Sequence, residues 1–497
     1  MNDSQPNRTW LGHPVSLSTL FFTELWERFS YYGMRALLVL FMVDEIQKGG
    51  MALDDEMATA IYGLYTAFVY LACLPGGWMA DRLLGARKAV WVGGLIIAAG
   101  HFTLAIPNQS AFFTGLLLVI LGTGLLKPNV SAMVGQLYPE GGARRDAGFT
   151  LFYMGINMGA FLGPLVCSYL GEKVNWHMGF AAAGVGMVLG VIQFWLTGHR
   201  LGEAGGITHR SPGNHDAGVR FDRGWYPVIG FVAVLALFIF LVVAGVLKVN
   251  ALSLAQNTTY VIVGLAVAFF SYLFVFGKLD AAEFKQTLVI LVLFIASAVF
   301  WSGFEQAGSS LNLFAERYTD RLAFGFEIPA GWFQSLGPLF IIALAPVFAS
   351  LWVYLAKKQL DPSMPAKFAL GMVLLGFGFL VMVGAAKWVV AGHKAAPYWL
   401  ILTYLLHTMG ELCVSPVGLS SVTKLAPRRF VGQMMGIWFL ATSLGNLIAG
   451  LMAGRFNPEA LNEMPDIFLQ IVMTTGGAAL ILFLCNAPIK KWMLKKD

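Results

Sequence analysis

Long apolar stretches separated by short polar ones run along almost the whole chain. A bilayer core about 30 Å thick is crossed by a helix of about 20 mainly apolar residues. The pattern predicts about fourteen transmembrane helices and an all-α integral membrane fold. The predicted spans are residues 17–44, 57–80, 88–107, 111–138, 147–170, 178–198, 225–247, 259–277, 285–315, 331–356, 368–391, 397–424, 428–454 and 465–489.

One polar stretch is long enough to divide these helices into groups. It reads GHRLGEAGGITHRSPGNHDAGVRFDRG, residues 198–224, and its Gly-rich, aperiodic composition is typical of a flexible loop. We expect an N-terminal six-helix bundle in residues 1–200, a cytoplasmic loop in 201–224, a two-helix insertion in 225–280 and a C-terminal six-helix bundle in 281–497.

Charge supports the membrane assignment and predicts the orientation. Only 12% of the residues are charged and 57% are hydrophobic, whereas soluble domains are about one quarter charged. An even number of spans places both termini on one side. With cytoplasmic termini, cytoplasmic segments hold 22 of the 33 Lys and Arg residues and the opposite side holds 8, which follows the positive-inside rule. The net charge of +6 therefore requires no nucleic-acid partner.

The first predicted helix carries charges where lipid should surround it. Its segment ELWERFSYYGMR lies between two apolar runs, and a charge at the bilayer centre costs roughly 2.5 to 3.5 kcal/mol. An arc of roughly 100° holds five polar side chains: Glu24, Glu27, Arg28, Tyr31 and Arg35. This stripe predicts a functional cluster, and a static buried ion network is the structural alternative.

Other predicted helices also carry polar side chains at similar depth. The main ones are Lys127, Tyr153, Asn157, Glu305 and Glu411. We expect Pro128 and Pro416 to break or kink their helices beside Lys127 and Glu411. The predicted spans thus hold four carboxylates and three cations, which suits a ligand with both charges and leaves groups to take up protons.

Two six-helix groups are typical of the major facilitator arrangement. The loop after the second predicted helix, GGWMADRLLGARK, resembles the major facilitator loop signature. In it Asp81, Arg82 and Arg87 predict a charge latch that one conformation makes and another breaks. A positive-inside anchor with a helix cap is the alternative. The corresponding loop of the second half, LAKKQLDPSMPAK, lacks the Asp-Arg pair.

The motif ExxERFxYYG, complete in residues 24–33, resembles the signature of the proton-dependent oligopeptide transporter (POT/PTR) family. Three further blocks resemble that family's in the same order: FYMGINMGAF, WFQSLGPLFIIALAPVFA and GELCVSPVGLSSVTKLAP. The two inserted helices are similar to those of bacterial members. The resemblance implies a bacterial inner-membrane symporter that takes up dipeptides and tripeptides with protons by alternating access.

The resemblance also implies roles for particular residues. Arg35 and Lys127 receive the peptide carboxylate, and Glu411 and Asn157 receive its amino terminus. The rest of the implied peptide-binding set is Tyr31, Tyr32, Tyr70, Tyr153, Trp301, Glu305, Ser415 and Trp438. The implied proton-coupling set is Glu24, Glu27, Arg28, Lys127 and Glu305. We expect Arg35 and Glu305 to form an ion pair that protonation of Glu305 breaks.

Several of these residues have simpler interpretations. Tyr70 could be a packing residue, Trp301 and Trp438 could lie in an aromatic belt, and Ser415 could bond back to its own helix. We expect no metal and no cofactor, with protons as the coupling ion, and a monomer. An enzyme is disfavoured because no HExxH or GxSxG motif occurs. The remaining alternatives are a major facilitator carrier of another small zwitterion, drug or anion, and a receptor.

Overall fold

The computed structural model describes residues 9–206, 249–456 and 458–493, with a few scattered positions between 226 and 241. Within these residues, two short antiparallel hairpins accompany the helices: β1 (Thr9–Trp10) with β2 (His13–Pro14), and β3 (Leu322–Ala323) with β4 (Phe326–Glu327). The described α-helices are α1 (Ser16–Val43), α2 (Asp55–Met79), α3 (Ala86–Leu104), α4 (Gln109–Gln136), α5 (Gly142–Lys173), α6 (Trp176–Thr197), α7 (Ala251–Phe276), α8 (Ala281–Phe304), α9 (Ser310–Tyr318), α10 (Leu336–Lys357), α11 (Met364–Val390), α12 (Tyr398–Leu425), α13 (Val431–Ala453), α14 (Met464–Leu484) and α15 (Asn486–Met493).

The helices agree with the membrane assignment. Among the described residues, ten helical segments are long and apolar enough to cross a membrane. Three more, α1, α3 and α12, have 28, 19 and 28 residues, so each has a length that a span requires. The predicted span 225–247 falls largely outside the described residues. The prediction of an all-α membrane fold is confirmed.

The breaks in the helices are not where the prolines predict them. Helices α4 and α12 continue through Pro128 and Pro416, so the expected break was wrong at both positions, and a kink stays a prediction. Proline is tolerated inside membrane helices because neighbouring groups can satisfy the freed backbone. The predicted span 285–315 is interrupted instead, because a 3₁₀ turn, Glu305–Gly308, separates α8 from α9.

The chain divides into two compact units. The first unit contains residues 1–34 and 71–250, and the second contains residues 35–70 and 251–497. Residues 35–70, which the sequence assigns to the N-terminal bundle, therefore belong to the second unit. Helices α1 and α2 each contribute one part to each unit.

In the first unit, an apolar core lies between α1, α3, α4 and α6, with Leu17, Val90, Leu126 and Met187 among its buried members. Helix α5 approaches α1 closely through glycine. A Cβ atom added at Gly159 would lie only 2.9 Å from Arg28 Cβ, so a larger residue would push α5 away. This packing fixes the face of α1 that carries its charges.

In the second unit, residues 35–70 are bound to the later helices by buried contacts. Asn312 Nδ2 donates to Ala36 O at 2.9 Å, and Ser443 Oγ donates to Ala67 O at 3.0 Å. At Gly450 an added Cβ would lie 2.5 Å from Thr59 O, so α13 can approach α2 only because this residue is glycine. These contacts explain why the end of α1 and the start of α2 belong to this unit.

Candidate functional site

Arg28 lies between two buried carboxylates of α1. Its Nη2 is 2.7 Å from Glu24 Oε1, and its Nε donates to the same oxygen at 2.8 Å. The Nε atom is also 3.2 Å from Glu27 Oε2. Glu24 and Glu27 are 1% and 0% exposed. We call these three residues the Arg28 cluster, and they belong to the first unit.

Lys127 of α4 supplies a second cation to this region. Its Nζ lies 5.9 Å from the centroid of the Tyr31 ring, and it interacts electrostatically with Arg28 and Glu27. Within the described residues, Glu24 Oε2 and both oxygens of Glu27 accept no hydrogen bond. Two carboxylates and two cations give a region of zero net charge with carboxylate oxygens available to a proton.

The polar residues of α5 lie in the same unit. Asn157 is 4% exposed, and its Nδ2 donates to Tyr153 O at 2.9 Å. The Tyr153 side chain is 36% exposed. Tyr31 and Tyr32 of α1 form an edge-to-face pair with ring centroids 5.2 Å apart. The first unit thus combines the Arg28 cluster and Lys127 with aromatic rings that have polar ends.

Arg35 forms the predicted ion pair with Glu305. Arg35 Nη2 is 2.8 Å from Glu305 Oε2, and the two residues are 5% and 4% exposed. Arg35 Nε also donates to the hydroxyl of Tyr62, at 2.6 Å. Both partners belong to the second unit, as does Arg35. We call Arg35, Tyr62 and Glu305 the Arg35 cluster.

The 3₁₀ turn after α8 provides room for this arrangement. A Cβ atom added at Gly308 would lie 2.6 Å from Tyr62 Cζ, closer still to its hydroxyl oxygen, and 3.0 Å from Arg35 Nε. Tyr62 is 0% exposed and so has no open space to move into. Glycine at 308 therefore lets the phenol reach the guanidinium. Sequence reasoning missed Tyr62 and Gly308, because no spacing or motif connects them to Arg35.

The remaining predicted residues of the second unit are half-buried. Glu411 interacts electrostatically with Glu305 and Arg35. Ser415 Oγ and Trp301 Nε1 are buried and have no hydrogen-bond partner within the described residues, so Ser415 does not bond back to its own helix. The Trp438 ring meets the Phe368 ring edge-on at 6.4 Å. Tyr70 is half-buried near the middle of α2.

A second ion pair in this unit was not predicted. Arg317 of α9 makes a two-pronged contact with Asp55 at the start of α2, with Nη1 2.5 Å from Oδ2 and Nη2 2.8 Å from Oδ1. It joins the same two parts of the chain as the Arg35–Glu305 pair. Both residues lie at helix ends, where the sequence alone predicts ordinary solvated charges.

The predicted latch residues do not pair with each other. Within the described part of the chain, Asp81 makes no ion pair with Arg82 or Arg87. Arg87 instead donates from Nη2 to Gly198 O, and its backbone N–H donates to Gly205 O at 3.0 Å. Asp81 and Arg82 lie in a π-helical turn, Ala80–Leu84. The latch role stays a prediction.

Comparison with known proteins shows which family this chain resembles. Residues 87–464 match the model of the POT family. The chain is 44% identical to the "Peptide transporter YePEPT" of Yersinia enterocolitica, over 98% of this chain and 96% of that one. It is 37% identical to a "Di-/tripeptide transporter" of Lactococcus lactis, with 99% of each covered.

Solved structures agree with these relatives. A crystal structure of a peptide transporter POT in complex with sulfate has a TM-score of 0.89 and 42% identity, and covers 99% of this chain and 98% of that one. A mutant of a peptide transporter POT in complex with alafosfalin gives 0.88 and 41%, with coverage of 99% and 98%. The chain therefore belongs to the POT family, whose members are membrane transporters of the all-α major facilitator type and not enzymes.

Proposed function

We propose that the protein carries dipeptides and tripeptides into the cell together with protons, by alternating access, as a monomer in a bacterial inner membrane with both termini cytoplasmic. The family and the names of the relatives support peptide transport. The observation that carries the coupling proposal is the buried pair of Arg35 and Glu305, 2.8 Å apart. The guanidinium group of Arg35 suits a ligand carboxylate, but it is already paired with the carboxylate of Glu305.

The energetic argument concerns what happens when a peptide carboxylate reaches Arg35. If Glu305 stays charged, the exchange leaves one buried carboxylate without its cation, which costs about 3 to 5 kcal/mol. That cost corresponds to a loss of about 10² to 5 × 10³ in affinity. If Glu305 takes up a proton, it separates from Arg35 as an uncharged side chain, and no buried charge is left without a partner. Peptide binding and protonation therefore favour each other.

Lys127 and the Arg28 cluster would form the second coupling element. When Lys127 turns to the peptide carboxylate, Glu24 and Glu27 share only Arg28, so one of them carries an uncompensated charge and takes up a proton more readily. The oxygens of Glu24 and Glu27 that accept no hydrogen bond support this role. The two coupling elements work in the same way. A cation that binds the peptide carboxylate no longer neutralises the glutamate that it neutralises in the absence of peptide.

The charge balance of the proposed site residues fits one proton per peptide. The four carboxylates Glu24, Glu27, Glu305 and Glu411, with the three cations Arg28, Arg35 and Lys127, give a net charge of −1. A zwitterionic peptide adds none, and one proton makes the loaded state neutral. Inward movement of one net positive charge would gain about 2.3 kcal/mol per 100 mV, or about 50-fold accumulation.

Recognition of the peptide would rest on its two charged ends. In this proposal Glu411 and Asn157 accept the amino terminus while Arg35 and Lys127 hold the carboxylate. The aromatic set of Tyr31, Tyr32, Tyr70, Tyr153, Trp301 and Trp438, with Ser415, would contact the side chains. Rings with polar ends accept varied groups without demanding one of them, so selection acts on length and end charges rather than on side-chain identity.

The test is uptake of radiolabelled dialanine by the purified protein in proteoliposomes. The exterior is acidic and a potassium diffusion potential makes the interior negative. We expect accumulation that a proton ionophore abolishes and that excess unlabelled trialanine competes away. Downhill uptake unaffected by the ionophore would contradict proton coupling. Competition by another small zwitterion, with no dialanine uptake by folded protein, would favour the alternative carrier.

A further inference from the structure

A cavity of about 700 Å³ lies in the second unit, where α8 and α11 begin and α12 ends. Three lysines line it: Lys367 in the first turn of α11, Lys424 at the end of α12 and Lys490 on α15. Uncharged polar side chains contribute as well, among them Gln286 and Ser421, which are 6% and 9% exposed. None of these residues takes part in the transport proposal, so the cavity needs its own explanation.

The residues that line this cavity carry a net positive charge. Among the described residues, Asp361 is the one acidic residue that lines it, and its carboxylate is 2.8 Å from Lys367 Nζ. The same Nζ stands 4.7 Å from the centroid of the Trp352 ring, so Lys367 is held and neutralised. Within the described residues, Lys424 and Lys490 have no acidic partner. The cavity therefore presents two uncompensated positive charges to whatever enters it.

The beginning of α11 adds to this potential. Ser363 stands at its N-cap, yet its hydroxyl donates to Asn486 Oδ1 and makes no capping bond. The N-cap side chain therefore does not bond to the amides of Met364 and Ala366. The N-terminal end of a helix carries partial positive charge that favours anions. Both Ser363 and Met364 line the cavity, so this end of the helix faces its interior.

Helix α15 is held at the rim of the cavity. The Ser363–Asn486 hydrogen bond fixes its first residue, and Ile489 is 2% exposed and packed against the unit. Lys490 follows Ile489 directly, so its backbone is held beside the cavity. The sequence NAPIKKWM combines lysines with Trp492, a composition typical of a helix at a membrane interface.

We propose that this cavity binds a phosphate group, and that its source is the headgroup of an anionic phospholipid in the adjacent leaflet. Two free lysines and a helix N-terminus match the charge and hydrogen-bonding needs of a phosphate. The volume lies within the range of about 300 to 1,000 Å³ that is usual for small-ligand sites. The positive-inside prediction places this end of the helices at the cytoplasmic face, which carries anionic lipid.

The experiment uses the full chain purified in detergent, titrated separately with phosphatidylglycerol, phosphatidylcholine and inorganic phosphate. Native mass spectrometry measures bound lipid, and thermal unfolding reports phosphate binding. The test variant is Lys424→Gln with Lys490→Gln, and Lys490→Gln alone is the milder version. The control is Lys357→Gln with Lys358→Gln, which removes two exposed charges from the end of α10, outside the cavity.

We expect phosphatidylglycerol to bind more tightly than phosphatidylcholine. A lysine near anionic lipid strengthens binding by about fivefold, so the double variant should bind about 25-fold more weakly while the control stays within about twofold. Inorganic phosphate that binds with the same lysine dependence and displaces the lipid would support a phosphate site with a soluble source. Equal loss in both double variants, no loss in the cavity variant, or no binding by the unmodified protein would each overturn the proposal.

Discussion

Replacing Gly308 by alanine tests whether the Tyr62 hydroxyl positions Arg35. The new Cβ would lie 2.6 Å from Tyr62 Cζ, whereas carbon atoms in contact prefer about 3.5 to 4.0 Å, so the ring must move by about 1 Å. Tyr62 is completely buried, and such a shift breaks its 2.6 Å hydrogen bond with Arg35 Nε. Overpacking costs about 1 to 3 kcal/mol, and an unsatisfied buried donor costs about as much again.

Together these costs lower the stability of the folded protein by at least about 2 kcal/mol, so we expect Gly308→Ala to lower the unfolding temperature. A hydrogen bond to a charged group contributes about 1.5 to 3 kcal/mol. If Tyr62 holds Arg35 in position for the ligand, its loss should also weaken dialanine binding by at least about tenfold, measured by equilibrium competition. Gly476→Ala on α14 is the matched control, since the added Cβ has no heavy atom within 4 Å apart from the adjacent residues and backbone of its own helix. Adding Tyr62→Phe to Gly308→Ala removes the hydroxyl oxygen, the nearest clashing atom, and should recover part of the stability but not the affinity. Normal binding in Gly308→Ala would refute the positioning role of Tyr62.

Three further substitutions test other parts of the proposal. Glu305→Gln should sharply reduce gradient-driven accumulation in proteoliposomes but retain peptide exchange, because Arg35 is then always available and residue 305 carries no proton; accumulation at the original level would contradict this. Lys127→Gln should weaken dialanine binding by at least about tenfold, since a hydrogen bond to a charged group contributes about 1.5 to 3 kcal/mol; an unchanged dissociation constant would remove Lys127 from the ligand site. Asp55→Arg should lower the unfolding temperature, since hydrogen bonds to charged groups contribute about 1.5 to 3 kcal/mol. Combining it with Arg317→Asp should restore stability, and independent, additive losses would show that the pair is not coupled.

Much of the architecture was predictable because hydrophobic length is a strong signal. About 20 apolar residues are needed per span whatever their order, so helix positions follow from composition alone. Charges inside those spans are costly, which is why Glu24, Arg35 and Glu305 could be selected before any contact was known. The pair of Arg35 with Glu305 was also predictable, since each needed an opposite charge.

The details that depend on side-chain geometry were not predictable. Whether Pro128 interrupts a helix depends on how neighbouring groups satisfy the backbone, and here the helix continues. The break at Glu305 and the fit of Tyr62 against Gly308 depend on contacts between parts of the chain far apart in sequence. The same is true of residues 35–70, which local pattern assigns to the first bundle but long-range contacts bind to the second unit.

The most direct test of the central claim is the pH dependence of dialanine affinity in the unmodified protein and in Glu305→Gln. If a proton must replace Arg35 as the partner of Glu305 before the peptide carboxylate can bind, affinity should rise as pH falls, and the slope should become clearly shallower in Glu305→Gln. Equal slopes in the two proteins would show that Glu305 does not couple proton and peptide binding.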